Sequence, residues 1–230
     1  MKVAIVTGVW KRPEVFELFA KGAKQLLKIK GIEWKVIVVG SENHKSMHMV
    51  RRQRFDYIEA PNNPLARKMN TTIRAARDWG ADYVLCLGSD DIITPQMMLI
   101  YIEQMNKGID FIGVLDFFFY DLPTKRALYW GGYEDGRKGH TCGAGRVLSS
   151  NLLGKWGWKI WEDKQSKVLD NSMEDKLNKT PHTSHTFKCV DFDVMRLDIK
   201  SSTNMTPFEC WANTVEIDGA IIREQINYIK

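Results

Sequence analysis

The sequence predicts an α/β fold, a central mixed and mostly parallel sheet with helices on its faces. Three observations lead there. The first is Ala81-Asp-Tyr-Val-Leu-Cys-Leu-Gly-Ser-Asp-Asp-Ile-Ile-Thr-Pro95, where an apolar run over 83–87 feeds a Gly-Ser-Asp-Asp turn, with a helix opening after Thr94-Pro95. A continuous apolar run of that length, bounded by Gly, suits a strand covered on both faces. The second is at the N-terminus, where apolar runs over 3–7 and 34–39 flank helical periodicity over 13–30. Such a strand–helix–strand unit implies parallel pairing with a right-handed crossover. The third is that the order continues as β-α-β-β-α-β-α-β to about residue 115, the pattern of a sheet with helices on its faces.

Taken in order, the first helix carries Val15, Phe16, Leu18, Phe19, Ala23, Leu26 and Leu27 on one broad apolar face. Pro13 fits its first turn, where the missing N–H costs nothing. Residues 41–54 are polar and basic (His44, Lys45, His48, Arg51, Arg52, Arg54) and read as a short helix or a loop. Their charge is explained first by a solvated surface and second by a phosphate or nucleic-acid patch. A third strand spans 55–59, a turn cluster 60–64, and a helix 65–79 that Gly80 ends. A helix over 95–105 and a strand over 111–115 follow.

The second half is less regular. Residues 117–133 read as strands or a hairpin around Trp130-Gly-Gly-Tyr133, 139–148 as a Gly-rich loop, and 148–154 as a short helix. A helix starts over 172–177 with Asp170 or Asn171 near its cap. Residues 189–199 alternate Val190, Phe192 and Val194 with Asp191 and Asp193, a strand signature, and 221–229 reads as a short final helix.

Composition sets limits on the function. A chain of 230 residues, 44% hydrophobic and 27% charged, is expected to be one domain with a full core. The longest apolar runs, such as 36–39 and 117–120, are too short to span a bilayer. With no signal-peptide pattern after Met1-Lys2 and four scattered cysteines lacking Cys-x-x-Cys spacing, the chain reads as cytoplasmic, with reduced thiols and no zinc site. Cys86 reads as a small buried hydrophobe. The net charge of +5 favours a phosphorylated ligand without identifying a nucleic-acid binder. The tryptophans of the second half (Trp130, Trp156, Trp158, Trp161, Trp211) are read as core first and as a sugar or base site second.

The chemistry-bearing feature is Asp90-Asp91 at the carboxyl end of the predicted central strand, where open α/β sheets bind ligands. Adjacent carboxylates repel unless a proton or cation relieves them, and Mg²⁺ or Mn²⁺ suits oxygen ligands. A bare Asp-Asp pair is read first as ending the strand and capping the next helix. The surrounding motifs bear on that choice. Val3-Ala-Ile-Val-Thr-Gly-Val-Trp-Lys-Arg-Pro13 is a strand ending in an aromatic and Arg-Pro turn. Val36-Ile-Val-Val-Gly-Ser-Glu42 is a second strand and turn. Asn62-Asn-Pro-Leu-Ala-Arg-Lys-Met-Asn70 opens a helix, and Leu87-Gly-Ser-Asp-Asp-Ile-Ile-Thr-Pro95 carries the acid pair.

In that order and spacing, the first half of the chain resembles the GT-A class of nucleotide-sugar glycosyltransferases, specifically the inverting family two. The resemblance implies a GT-A-like three-layer α/β/α sandwich over 1–230, with a nucleotide-sugar-binding half (1–115) and an acceptor-binding half (116–230). It implies a metal motif in Ser-Asp-Asp form, with Asp91 holding Mn²⁺ or Mg²⁺ and Asp90 supporting it or contacting ribose. Donor contacts are implied for Thr7, Gly8, Trp10, Arg12, Ser41, Glu42, Lys68, Asn70 and Asp90. Gly40 occupies the place of the family's base-binding acid, for which Ser41 or Glu42 would substitute. For Lys68 a surface role stands beside a phosphate contact. Asp170 matches the family's catalytic base at the start of a late helix, with Met173, Lys176 and Leu177 at the following offsets, although Leu169 replaces the usual Glu. A helix cap is its alternative role. Asp198-Ile-Lys-Ser-Ser202 is similar to late segments of small viral and bacterial relatives.

The implied reaction moves a sugar from a nucleotide-diphosphate donor, UDP-sugar favoured, to an acceptor hydroxyl on a glycan or on a hydroxymethylated base in viral DNA. Two other readings stand against it. A nucleotidyltransferase would open with a Gly-rich phosphate loop, and Thr7-Gly-Val-Trp-Lys-Arg12 is poor in Gly. A binding module of the same fold would not require Asp90, Asp91 and Asp170 together. His182 and His185 have a spacing that suits metal, but without Cys or further His nearby they read as a solvated loop.

Overall fold

The computed structural model describes all residues except 203, 205–207, 211, 212 and 230, so Trp211 lies outside the described residues. The first half follows the expected order: β1 (Lys2–Gly8), α1 (Pro13–Leu26), β2 (Glu33–Gly40), α2 (His44–Arg52), β3 (Asp56–Glu59), α3 (Leu65–Trp79), β4 (Tyr83–Cys86), β5 (Asp91–Ile93), α4 (Pro95–Asn106) and β6 (Phe111–Val114). The second half adds β7 (Phe117–Asp121), β8 (Ala127–Trp130), β9 (Arg146–Ser149), α5 (Ser150–Lys155), α6 (Leu169–Asn178), β10 (Ser184–Phe187), β11 (Arg196–Lys200), β12 (Thr214–Ile217) and α7 (Gly219–Gln225).

Among the described residues the strands form two sheets. The larger runs β10-β6-β9-β4-β1-β2-β3 and is parallel except for β9, which pairs antiparallel with both β4 and β6. The smaller runs β12-β8-β7-β11-β5. It contains a β7–β8 hairpin within 117–133, but the chain turns between Asp121 and Ala127 rather than at Trp130-Gly-Gly-Tyr133. Strand periodicity sorts the core onto two faces of the large sheet. Val3, Ile5, Val36, Val38 and Leu85 pack with α1, α4 and the smaller sheet. Ala4, Val6, Ile37, Val84 and Cys86 pack with α3, α5 and α6. Both faces of the sheet are therefore covered, which is why its strands read as unbroken apolar runs. Trp130, Trp156 and Trp161 are core residues, and Cys86 is a buried thiol in β4.

Several expected boundaries move. Helix α1 stops at Leu26, four residues early, and the chain turns through Gly31 at φ 82°. Residues 41–54 resolve as a helix, α2. Gly80 ends α3 in the left-handed conformation (φ 79°), and its N–H reaches back to the Ala76 and Arg77 carbonyls. The Gly-rich stretch over 139–148 is not loop throughout. Its last residues belong to β9, in which Val147 and Leu148 bury onto opposite faces. Helix α5 starts only after Ser149, whose hydroxyl accepts from the Leu152 N–H at 3.0 Å.

The alternation over 189–199 does not form one strand, for a physical reason. Cys189–Phe192 is a 3₁₀ turn, because the Asp116 carboxylate accepts from the Cys189 N–H at 2.5 Å and the Val190 N–H at 3.3 Å. Val190 and Phe192 consequently point outward, 47% and 50% exposed, and the strand begins only at Arg196. The last helix begins two residues early, at Gly219, because Asp218 caps it. His185 lies in β10 rather than in a loop, and His182 stacks edge-on against Phe111 at 6.0 Å. No helix among the described residues is long and apolar enough to cross a membrane.

Candidate active site

Parallel strands β1, β2 and β4 all end at one edge of the large sheet, so the turns that follow them converge there. The turn after β1 is held by three ties. The Val9 N–H donates to the Val39 carbonyl at 2.9 Å, the Lys11 N–H to Glu42 Oε2 at 2.7 Å, and Lys68 Nζ to the Val9 carbonyl at 2.9 Å. With the turn fixed, Trp10 stands 45% exposed beneath the Lys11 ammonium, 4.7 Å from its ring centroid. Arg12 reaches across to Asp90, Nη1 to Oδ2 at 2.5 Å.

Gly88 allows the acid turn to close on itself. A Cβ there would overlap both Asp91 Oδ2 and Asp90 Oδ1. The two acids then diverge. Asp91 enters β5 and is buried, with Oδ2 accepting from the Gly88 N–H at 2.7 Å and Oδ1 from Arg196 Nη2 at 2.5 Å. Burial pushes its carboxyl up, Arg196 opposes that, and the Asp90 charge adds to it. Asp90 faces the mouth, where Oδ2 also accepts from Asn204 Nδ2 at 2.8 Å. Expected as the metal ligand, Asp91 has both oxygens occupied by Arg196 and Gly88.

A third carboxylate completes the cluster. Asp198 of β11 stands opposite Asp91 in register and pairs with Lys200 at 2.9 Å, while its Oδ1 is buried without a partner among the described residues. Its pKa is raised to about 7, first by burial and then by Asp90 and Asp91, against the pull of Lys200. Among the described residues no group of three His, Cys, Asp or Glu side chains is arranged to hold a metal. The carboxylates on offer to a hard cation are Asp90, at the mouth, and Asp198, whose Oδ1 has no partner among the described residues, and that donor chemistry fits Mg²⁺ or Mn²⁺.

Four residues expected to touch a donor are placed otherwise. Asn70 is buried in α3 and spends its whole amide on 160–163: Nδ2 donates to the Trp161 carbonyl and Asp163, and Oδ1 accepts from the Ile160 and Trp161 N–H groups. Lys68 is buried as well, its ammonium shared by the Val9 carbonyl and Asn62 Oδ1, and burial lowers its pKa to about 8. Gly8 lies under α3, where a Cβ would meet Met69 Sδ at 2.8 Å. Thr7 is buried, and among the described residues its hydroxyl has no partner. The place of the base-binding acid, Gly40, is covered by Tyr57 and Ser46, and Ser41 Oγ lies 3.4 Å from Asn62 Oδ1.

Asp170 sits in the first turn of α6 rather than at its cap, which is Val168. Its carboxylate is exposed and rests on the Gly143 backbone. Behind it Arg146, fully buried, donates to the Asp170 carbonyl at 3.1 Å and to Glu174 Oε1 at 2.7 Å. The same segment continues to Gly145, whose N–H donates to the Cys86 carbonyl and whose Cα side faces Arg196. The 143–145 backbone thus runs between Asp170 and the Arg196–Asp91 pair. Arg196, Asp198 and Asn204 escape sequence reasoning because their partners lie about a hundred residues away. The late Asp198-Ile-Lys-Ser-Ser202 segment was the one signal.

No family model and no curated protein matches the sequence. Solved structures do. TarS 1-349 of S. aureus in complex with UDP-GlcNAc aligns over 89% of this chain and 60% of its own, with a TM-score of 0.61 and 14% identity. The mannosyltransferase PcManGT from Pyrobaculum calidifontis, with GDP-Man and Mn²⁺, aligns over 88% and 57%, with a TM-score of 0.59 and 11% identity. The fold is that of the GT-A nucleotide-sugar glycosyltransferases. A glycosyltransferase involved in glycosylation of the PBCV-1 major capsid shares this GT-A fold over 89% of this chain and 95% of its own, with a TM-score of 0.53 and 14% identity. The chain spans about three-fifths of the length of the first two.

Proposed function

We propose that this chain transfers a sugar from a nucleotide-diphosphate donor to an acceptor hydroxyl, with inversion, using Asp170 as the general base. The observation that carries this reading is the pairing of two separate carboxylate positions in a GT-A fold. Asp90 with Arg12 sits at the mouth of β1 and β4, and exposed Asp170 sits beyond the 143–145 backbone.

In this reading the nucleobase lies against Trp10, whose exposed face suits stacking, near Ser41 and Glu42. Arg12 turns from Asp90 toward the diphosphate and offsets the charge that builds on the leaving group. A divalent cation on Asp90 and Asp198 would add Lewis-acid stabilisation of the same oxygens. Asp170 takes the acceptor's proton as its oxygen attacks the anomeric carbon, and the bond to the diphosphate breaks on the opposite side. UDP- and GDP-sugars are the first donors to test, because neighbours of this fold were solved with UDP-GlcNAc and GDP-Man. A glycan and a hydroxymethylated base in DNA are the two acceptor classes to test.

The test is release of free nucleotide from UDP-GlcNAc and GDP-mannose, with Mn²⁺ and with water or a glycan or DNA panel as acceptor. Turnover with one donor, lost by about 10²-fold or more in Asp170→Asn, supports the reading. Absence of turnover with every donor and acceptor, or full turnover in Asp170→Asn, contradicts it.

A further inference from the structure

We infer that Gly143 is a positioning residue for Asp170, the seat that holds its carboxylate in one orientation. This rests on the reading of Asp170 as the general base. An exposed aspartate in the first turn of a helix ordinarily samples several rotamers, and a base that must meet an incoming hydroxyl needs one. Among the described residues the Asp170 carboxylate accepts no hydrogen bond that would select a rotamer. What defines its place is contact with the Gly143 backbone. A Cβ built on Gly143 would overlap Oδ1, Cγ and Oδ2 of Asp170 together. The conformation of Gly143 does not itself demand glycine, since its φ lies outside the left-handed region that holds Gly139 and Gly145. The missing side chain, rather than backbone freedom, is what the site uses.

The seat and the helix that carries Asp170 are tied together by a buried frame. Gly143 lies between Thr141 and Arg146, and both bind α6. The Thr141 N–H and hydroxyl donate to Glu174 Oε1 at 3.0 and 2.6 Å, and Arg146 donates to Glu174 Oε1 and to the Asp170 carbonyl. Asp170 and Glu174 are one helical turn apart, so one arginine grips the helix on the face that carries the base. Arg146 also donates to the Thr141 hydroxyl and carbonyl, both at 2.9 Å, which closes the loop around Gly143. The segment therefore cannot drift away from α6 without breaking a buried ion pair. Gly88 shows the same device beside Asp90 and Asp91, where a side chain would also strike two carboxylates.

Gly143→Ala and Asp170→Asn, assayed beside the wild type, test this. Initial rates of nucleotide release from UDP-GlcNAc and GDP-mannose give kcat and KM, and thermal unfolding gives Tm. Because the displaced group is the free end of an exposed side chain, the alanine should leave Tm and donor KM unchanged while kcat falls about 100-fold, the effect of a misplaced reacting group. An undiminished kcat in Gly143→Ala, with Asp170→Asn inactive, overturns the inference and leaves the base assignment intact. A lower Tm together with a raised donor KM overturns it too, since that pattern marks a purely structural glycine. Full activity in Asp170→Asn removes the base assignment itself.

Discussion

Arg196 and Asp91 form a buried ion pair, Nη2 to Oδ1 at 2.5 Å, joining β11 to β5 across 105 residues of sequence. Both side chains are almost closed to solvent. The pair also fixes the local architecture, because the Arg196 guanidinium lies 4.0 Å from the Phe117 ring centroid, against the strand that adjoins β11 in the smaller sheet.

Removing one partner should be costly. Arg196→Leu leaves a buried carboxylate without its cation, and about 3–5 kcal/mol of stability should be lost. Asp91→Asn combined with Arg196→Leu should recover part of that loss, since no uncompensated charge remains. Urea unfolding of the two single variants and the double variant checks both statements.

Asn70 acts as a latch between α3 and the segment that leads into α6. Asn70→Ala strands two buried N–H groups and a carbonyl, so a loss of about 2–4 kcal/mol is expected from unmade buried hydrogen bonds. Donor affinity measured below the unfolding transition should be unchanged. A weakened donor affinity in a variant of normal stability would instead return Asn70 to the binding site.

Lys68 makes stability depend on pH. Burial lowers its pKa in the fold to about 8, whereas an unfolded lysine titrates near 10.4. Between those values the unfolded chain holds a proton that the folded chain has lost, so stability rises with pH through that window. Below pH 8 both forms are charged and the burial cost is paid in full. Relative to Lys68→Met, the wild type should gain about 2 kcal/mol between pH 7.5 and 9.5. Urea midpoints at the two pH values measure it. A constant difference would show that Lys68 titrates normally.

The legible part of the fold was the part encoded locally. The run Tyr83–Cys86, the periodicity of α3 and the stop at Gly80 each report on residues within one element. Strand β9 was illegible because it is four residues long and follows a Gly-rich stretch, and its burial comes from β4 and β6 on either side. The alternation around Val190 and Phe192 pointed to a strand, yet Asp116, more than seventy residues earlier, draws that backbone into a turn. The site divides in the same way. Arg12, Asp90 and Asp170 are candidates that motifs alone propose, while Arg196, Asp198, Asn204 and Arg146 enter the candidate site only when the chain folds back. Lys68 and Asn70, which the motifs also offer to a donor, each have an internal partner that residue type and spacing do not reveal.

On the reading proposed above, the mouth formed by Trp10, Arg12 and Asp90 receives a nucleotide sugar. Thermal unfolding with UDP-GlcNAc or GDP-mannose, with and without Mn²⁺, in the wild type, Arg12→Ala and Asp90→Ala decides whether it does. One donor should stabilise the wild type, by about 2.7 kcal/mol at a hundredfold excess over Kd, and the gain should vanish in both variants. No stabilisation by any donor, or an equal shift in Asp90→Ala, would contradict the assignment.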